Sequence, residues 1–210
     1  MRQNTVAPWA ELVPGVGHMT ADELLTLSDG EWEYELVEGR LVRMSPTGLE
    51  HLYITDALHA ALRAFVRLHQ LGLVTLPDTG FRLPQPGVPD SVLAPDVAFI
   101  SSARLAQLPP PGDPGLRKFL PFAPDLAAEV ASPDQHKPEM AEKASRYLAV
   151  GTHLVWVVWP SSRTVDVWRP GDESPSTTFA ASDTLDGLEV VPGFTLPVAD
   201  LFASLPEVGP

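Results

Sequence analysis

The sequence predicts an α/β fold in which helices flank a mixed central sheet accompanied by antiparallel hairpins. Three observations support this prediction. Short apolar runs alternate along the chain with two segments of helical periodicity. The run His153 to Trp159 is almost entirely apolar, as expected of a central strand buried on both faces. The next run, Thr164 to Arg169, alternates apolar and polar residues and therefore predicts an antiparallel partner.

Length and composition indicate one domain. The chain has 210 residues, of which 44% are hydrophobic and 20% charged, and this is enough to bury a sizeable core. Residues 1–17 show no periodicity and are expected to form a loose N-terminal arm, so that residues 18–204 form a single domain. The 23 prolines cluster between periodic segments and mark loops.

Charge and cysteine content exclude several classes of site. The chain has no cysteine, so disulfides and thiolate zinc sites are excluded and the cytoplasm is the expected location. No apolar run approaches the roughly 18 residues of a membrane span, and no export leader is recognisable, so no membrane partner is expected. A net charge of −13 argues against nonspecific coating of nucleic acid. It does not exclude a nuclease, because an active-site cluster of acids is itself negative.

The first elements are a short helix and a hairpin. Thr20 to Glu23 forms a capping box that predicts a helix ended by Asp29-Gly30. In the segment Trp32 to Ser45, apolar runs flank Glu38-Gly39, which predicts a tight hairpin turn. Glu35 lies on the first strand of this hairpin. It is either a functional acid or a half-exposed charge at a sheet edge.

A long helix follows. Thr47 to Glu50 resembles a second capping box, and the helix is expected to run to about Gln70 and end at Gly72. At 100° per residue, His51 falls on the apolar arc, in the first turn of this helix. His51 is either a satisfied core histidine or a residue of a functional site.

The middle of the chain is predicted to contain three strands and a long loop. The strands are Val74 to Leu83, Ser91 to Ser101 and Leu126 to Ala131, and residues 109–124 form the proline-rich loop between the last two. A loop of this length inside a domain is often functional.

Two of these strands contain a carboxylate. Asp96 lies at the mouth of the apolar run Ala94 to Ile100, and Glu129 lies inside the run that begins at Leu126. An ionised carboxylate in a buried strand is costly unless it is paired or meets a cation. Two such residues in consecutive strands predict a divalent metal held between them.

The second long helix adds a cation. It is predicted over Pro138 to Val150, and Lys143 falls within its apolar arc. One interpretation is an ion pair with Glu139 combined with burial of the aliphatic stem. The favoured interpretation is an ammonium directed at Asp96 and Glu129. Toward the C-terminus, Thr177 to Ala180 is predicted as an edge strand, and residues 190–202 as a short strand followed by a last helical turn.

This combination of residues suits phosphodiester hydrolysis. Two carboxylates bind Mg²⁺, the metal lowers the pKa of a bound water, and a nearby lysine orients that water or stabilises developing negative charge. The sequence contains no phosphate-binding loop, dinucleotide-binding fingerprint, nucleophile elbow or His-Glu-x-x-His motif.

From Leu24 to Phe202 the chain resembles the Uma2 family, a branch of the restriction-endonuclease-like (PD-(D/E)XK) superfamily. The resemblance rests on the order and spacing of several motifs. They are Tyr34-Glu-Leu-Val-Glu-Gly-Arg-Leu41, Met44-Ser-Pro46 with His51, Pro95-Asp96-Val97, Glu129-Val-Ala-Ser-Pro133, Glu142-Lys143 with Tyr147, Gly151 with Trp156, Pro192-Gly-Phe194 and Leu201-Phe202.

The resemblance implies a restriction-endonuclease-like domain with Mg²⁺ (or Mn²⁺) bound by Asp96 and Glu129, and Lys143 as the catalytic lysine. In the superfamily's commonest form that lysine lies two residues after the second acid. That position is Ala131 here, so Lys143 of the following helix takes the role. Glu35 is then a further acid near the metal, and His51 faces the site.

Three functions remain open. The first is a metal-dependent endonuclease that hydrolyses DNA phosphodiester bonds. The second is a non-catalytic interaction or regulatory protein that retains the nuclease fold, in keeping with the acidic charge. The third is a metal-dependent hydrolase of a smaller phosphorylated substrate. A buried central strand and an exposed hairpin edge would also suit a homodimer.

Overall fold

The structure is a computed structural model that describes residues 11–13, 17–27, 34–44 and 46–203. Its helices are α1 (Ala21–Thr26), α2 (Leu49–Leu68), α3 (Ser102–Leu105) and α4 (Lys137–Ala149), with short 3-10 helices at Pro114–Arg117 and Val198–Leu201. Its strands are β1 (Glu11–Leu12), β2 (Tyr34–Val37), β3 (Arg40–Arg43), β4 (Gly72–Thr75), β5 (Phe81–Arg82), β6 (Val92–Leu93), β7 (Val97–Ser101), β8 (Leu126–Val130), β9 (Leu154–Trp159), β10 (Thr164–Trp168), β11 (Thr177–Ala180), β12 (Thr184–Asp186) and β13 (Thr195–Pro197).

A mixed sheet of six strands forms the centre, in the order β11-β10-β9-β8-β7-β4. β8 and β9 pair in parallel, whereas the other neighbours are antiparallel. Every residue of β9 is buried, and β10 and β11 are its antiparallel partner and the edge strand, so these three predictions are confirmed. A second, antiparallel sheet has the order β1-β3-β2-β6-β5, and β12 pairs with β13. The predicted α/β class with a mixed sheet is therefore confirmed.

The two long helices cover opposite faces of the central sheet. The apolar stripe of α2 packs on one face together with the C-terminal segment. The apolar stripe of α4 packs on the other face, where β5 and β6 of the second sheet also make contact. The stripes consist of Ile54, Leu58, Leu62 and Val66 in α2, and Met140, Ala144 and Tyr147 in α4.

The helix starts only partly follow the prediction. At α1 the capping box forms, because Thr20 Oγ1 accepts a hydrogen bond from Glu23 N and Glu23 Oε2 accepts one from Thr20 N. The prediction of a second capping box, from Thr47 to Glu50, is wrong. The N-cap of α2 is Gly48, which puts Glu50 at the second helical position, one residue short of the place from which it could close a box.

Two predicted strands are each divided between the two sheets. The prediction of one strand from Val74 to Leu83 is wrong, because β4 joins the central sheet and β5 the second sheet. The same holds for Ser91 to Ser101, which contains β6 and β7. In both cases the chain leaves one sheet and enters the other, and apolar periodicity does not indicate where this change occurs. α3 and β12 were not predicted.

Part of the predicted N-terminal arm is in contact with the domain. β1 pairs with β3, and Val13 N donates a hydrogen bond to Leu41 O at 3.3 Å. Residues 1–10, 14–16, 28–33, 45 and 204–210 lie outside the described residues, among them the predicted helix stop at Asp29-Gly30. The domain boundaries stay a prediction. In the described ranges, no helix combines the length and apolar character that crossing a bilayer requires.

Candidate active site

Both sheets and both long helices contribute to one cluster of charged side chains. Glu35 comes from β2 of the second sheet, and Glu129 from β8 of the central sheet. Asp96 directly precedes β7. Because Val97 pairs with Ala128 in an antiparallel register, Asp96 and Glu129 occupy the next opposing positions. α4 follows β8 and contributes Lys143, and α2 contributes His51 from its first turn.

The Lys143 ammonium lies between two of the acids. Its Nζ is 3.0 Å from Glu129 Oε2 and 3.3 Å from Glu35 Oε1, and the side chain is 4% exposed. Glu139, the partner in the alternative interpretation, uses its carboxylate to accept a hydrogen bond from His136 N at the start of α4. The lysine therefore reaches the acid cluster, as the apolar arc of the helix predicted, although its catalytic role stays a prediction.

Glu35 is a buried acid, so its interpretation as a half-exposed edge charge is wrong. The residue is 1% exposed. Its Oε1 accepts a hydrogen bond from Ala94 N at 2.9 Å, whereas its buried Oε2 has no hydrogen-bond partner among the described residues. A buried oxygen without a hydrogen-bond partner is energetically costly. Such an oxygen makes Glu35 a potential ligand for a cation.

Asp96 and His51 form the more accessible side of the cluster. Asp96 Oδ2 accepts a hydrogen bond from Val130 N at 2.7 Å and lies 3.2 Å from His51 Nε2. The other ring nitrogen of His51 lies 3.4 Å from Thr55 Oγ1. Both side chains remain partly exposed, at 18% for Asp96 and 11% for His51, so this is the side of the cluster that solvent reaches.

Sequence reasoning missed the hydroxyl of Tyr147. This residue is fully buried, and its hydroxyl donates a hydrogen bond of 2.8 Å to Glu129 Oε1. Both oxygens of Glu129 are thereby engaged, one by Tyr147 and the other by Lys143. The signal was present in the sequence, because Tyr147 lies four residues after Lys143 and the two side chains share a helix face.

Burial has the largest effect on the pKa of Glu129. Burial raises the pKa of Glu129 to about 8, and the charges of Asp96 and Glu35 act in the same direction against the opposing effect of Lys143. Burial alone would lower the pKa of the Lys143 ammonium, but the charges of Glu129 and Glu35 raise it. Lys143 Nζ also lies 3.3 Å from Glu35 Oε1, so the ammonium has a second acidic partner beside Glu129.

The pKa values of Tyr147 and His51 are both raised, which favours their protonated, hydrogen-bond-donating forms. Burial, reinforced by the charges of Glu129 and Glu35, raises the pKa of the Tyr147 hydroxyl well above its usual value, so Tyr147 remains a hydrogen-bond donor. Burial alone would lower the pKa of His51, but its hydrogen bond to Asp96 and the charges of Asp96 and Glu129 raise it. The cluster thus has three acids against one lysine and a histidine with increased affinity for a proton.

The donor chemistry of the cluster fits a hard divalent cation such as Mg²⁺. The cluster contains three carboxylates, and the buried Oε2 of Glu35 lacks a hydrogen-bond partner within the described part of the chain. In the same described ranges, no group of three or more His, Asp or Glu side chains has the spacing of a metal site. The ammonium of Lys143 is the cation that Glu35 and Glu129 share.

Comparisons with known proteins bear on the family and the fold. The sequence profile of the Uma2 family, described as "Putative restriction endonuclease", matches residues 21–199. A crystal structure described as a "putative nuclease belonging to DUF820", from Anabaena variabilis ATCC 29413, superposes with a TM-score of 0.71 at 23% sequence identity. That match covers 88% of this chain and 98% of the other, so the fold is shared. No curated protein matches the chain.

Proposed function

The chain belongs to the Uma2 family, and from that premise we propose that it is a divalent-metal-dependent endonuclease that hydrolyses DNA phosphodiester bonds. Membership of a family described as "Putative restriction endonuclease" supports nuclease function in general. The metal, the DNA substrate and the roles of individual residues go beyond that general support, and they are what we propose.

The observation that supports the proposal most strongly is the buried ammonium of Lys143 between two acids that come from different sheets. A buried salt bridge contributes little net stability, because desolvation offsets the attraction. A buried cluster with excess acid, a strongly raised Glu129 pKa and an accessible side is instead typical of an active site.

Each residue has a distinct task in the proposed reaction. Asp96 and Glu129 would hold the cation, with Glu35 as an additional ligand or as the acid that positions Lys143. A bound divalent cation would supply Lewis-acid stabilisation of charge on a phosphoryl oxygen and activation of the attacking water. Lys143 donates hydrogen bonds that orient the water or stabilise the developing charge.

His51 and Tyr147 support these groups. His51 lies at the accessible side, and its raised pKa favours the protonated ring, whose positive charge would attract an approaching phosphate. Tyr147 fixes the carboxylate plane of Glu129 through its hydrogen bond to Oε1. The expected substrate is DNA in the cytoplasm, bound through local contacts because the net charge of −13 opposes general attraction.

The direct test is cleavage of supercoiled plasmid by purified protein with Mg²⁺, Mn²⁺ or EDTA. We expect nicking or linearisation with the metals, none with EDTA, and loss of activity in Asp96→Asn, Glu129→Gln and Lys143→Met. Lys137→Met makes the same change on the same helix outside the cluster and should retain activity. Equal activity in all variants would identify a contaminating nuclease and refute the proposal.

A non-catalytic interaction protein is the second candidate. It is favoured by the fact that both oxygens of Glu129 are already engaged, by Lys143 and Tyr147. Isothermal titration calorimetry with Mn²⁺ separates the two candidates: absence of binding, together with absence of cleavage, would support the second. Hydrolysis of bis(p-nitrophenyl) phosphate without cleavage of DNA would instead point to a smaller phosphorylated substrate.

A further inference from the structure

Among the residues that the structure describes, strand β4 lies at one end of the central sheet, next to β7. Ser102 N donates a hydrogen bond to Leu71 O at 2.9 Å. This hydrogen bond shows which residues of β4 direct their backbone groups toward β7. In an antiparallel pair, alternate residues direct their backbone groups to opposite sides. Leu73 and Thr75 therefore bond toward β7, and the backbone groups of Gly72, Val74 and Leu76 point outward from the sheet.

The side chains along this edge are unusually apolar for an exposed strand. Leu73 is 50% exposed and Leu76 is 65% exposed. Together with Leu25 of α1, which is 40% exposed, they line a groove of about 700 Å³ that follows the edge of β4. Proteins usually protect an open edge with charges, prolines or a bulge inside the strand. Exposed leucines at this position instead indicate an interface.

The same groove contains polar atoms without partners. Thr75 is 5% exposed, yet its Oγ1 has no hydrogen-bond partner among the described residues. The same is true of His59 Nε2, and both residues line the groove. Such atoms are costly to leave buried and unpaired, so the occupant of the groove should have polar as well as apolar groups, as a polypeptide strand does.

We propose that the occupant is β4 of a second copy of this chain. Two β4 strands pair antiparallel about a two-fold axis at Val74 and join the two central sheets into one. This register places Gly72 opposite Leu76 of the partner subunit and uses the outward-facing backbone groups between them. Leu76 O already accepts a hydrogen bond from Thr79 Oγ1 and would accept a second one across the pair. The proposal goes beyond the nuclease function and does not depend on it.

Charge complementarity favours a second copy over an unrelated strand. Asp78 lies beyond the C-terminal end of β4. Arg63 lies one helical turn before Val66, whose carbonyl accepts a hydrogen bond from Leu71 N at the N-terminal end of β4. Both side chains are exposed and line the groove. The two-fold axis therefore directs each Arg63 toward Asp78 of the partner subunit.

The molar mass of the full chain in solution tests the proposal. Size-exclusion chromatography with light scattering over a range of concentrations should give twice the mass of one chain for the wild type. Arg63→Glu and Asp78→Arg should each shift the protein toward the monomer, because each creates two like-charge contacts. Arg169→Glu makes the same charge change beside β10, far from β4, and should remain dimeric. Circular dichroism verifies that all variants are folded.

Mixing the two variants gives the decisive result. A heterodimer of one Arg63→Glu chain and one Asp78→Arg chain restores both opposite-charge contacts, so the mixture should recover the dimer mass that neither variant gives alone. An intramolecular contact would show no such recovery. A wild type that is monomeric at all concentrations, or a dimer that neither substitution weakens, would overturn the proposal.

Discussion

Lys143 Nζ lies 3.0 Å from Glu129 Oε2, although fourteen residues and a change from strand to helix separate the two residues. The same ammonium is 3.3 Å from Glu35 Oε1 in the other sheet. A single cation thus joins a strand of the central sheet, a strand of the second sheet and the helix that covers them. This contact should govern both the stability and the activity of the protein.

Replacement of Lys143 is expected to destabilise the protein more at high pH than at low pH. In Lys143→Met, Glu35 and Glu129 lose their shared partner, which should lower the free energy of unfolding by about 3–5 kcal/mol at pH 8. At pH 5 the loss should be smaller, because Glu129, whose pKa is raised by burial, can then bind a proton. Urea unfolding at the two pH values measures the difference, with Lys137→Met as the control. An equal loss at both pH values would contradict the expected role of the cation.

Glu129 should make the wild type less stable as pH rises. Burial raises the pKa of Glu129 from 4.5 to about 8, so between these values the folded state binds more protons than the unfolded state. The slope of the unfolding free energy against pH is therefore negative in this window. Glu129→Gln removes the titration, and the difference between the two stability curves isolates it from all other groups. A difference curve that is flat from pH 5 to pH 8 would refute the prediction.

Loss of the Tyr147 hydroxyl should alter the pH dependence of activity as well as stability. Tyr147→Phe leaves the buried Oε1 of Glu129 without a donor, at an expected cost of about 1–3 kcal/mol. The hydrogen bond also favours the ionised form of Glu129, so its loss should raise the pKa further and shift the acid limb of the pH–rate profile to higher pH. Tyr53→Phe on α2 is the matched control. An unshifted acid limb would assign Tyr147 a purely structural role.

Divalent metal should stabilise the protein more at pH 8 than at pH 6. A cation binds the ionised carboxylates, and at pH 6 it must displace the proton that Glu129 holds. Thermal unfolding with MgCl₂ or MnCl₂, against NaCl of equal ionic strength and with EDTA reversal, measures the effect. Glu35→Gln should reduce the stabilisation if Glu35 Oε2 is a ligand. Stabilisation that is independent of pH would argue against binding at Glu129.

Local periodicity was sufficient to predict much of the fold. The apolar arc of α4 identified Lys143 as inward-facing, and the uniformly apolar run of β9 identified the central strand. Both are properties of a few consecutive residues. The capping box at Thr20 formed for the same reason, because all its contacts lie within one turn.

Features that depend on contacts between distant segments could not be predicted from the sequence. The chain enters the second sheet at β5 and returns to the first at β7, and residue type within those runs does not distinguish the two sheets. Glu35 was ambiguous because its burial depends on packing against segments that follow much later, including Ala94. The contact of Tyr147 with Glu129 required both the helix face and the strand opposite it to be known.

The order of the cluster's residues along the chain has a consequence for biosynthesis. Glu35, Asp96 and Glu129 all precede Lys143, so an elongating chain contains every acid of the cluster before the lysine emerges. Until α4 folds against β8, Glu35 and Glu129 lack the ammonium that they share in the folded chain. A chain whose synthesis stops before Lys143 therefore contains all three acids of the cluster without this ammonium.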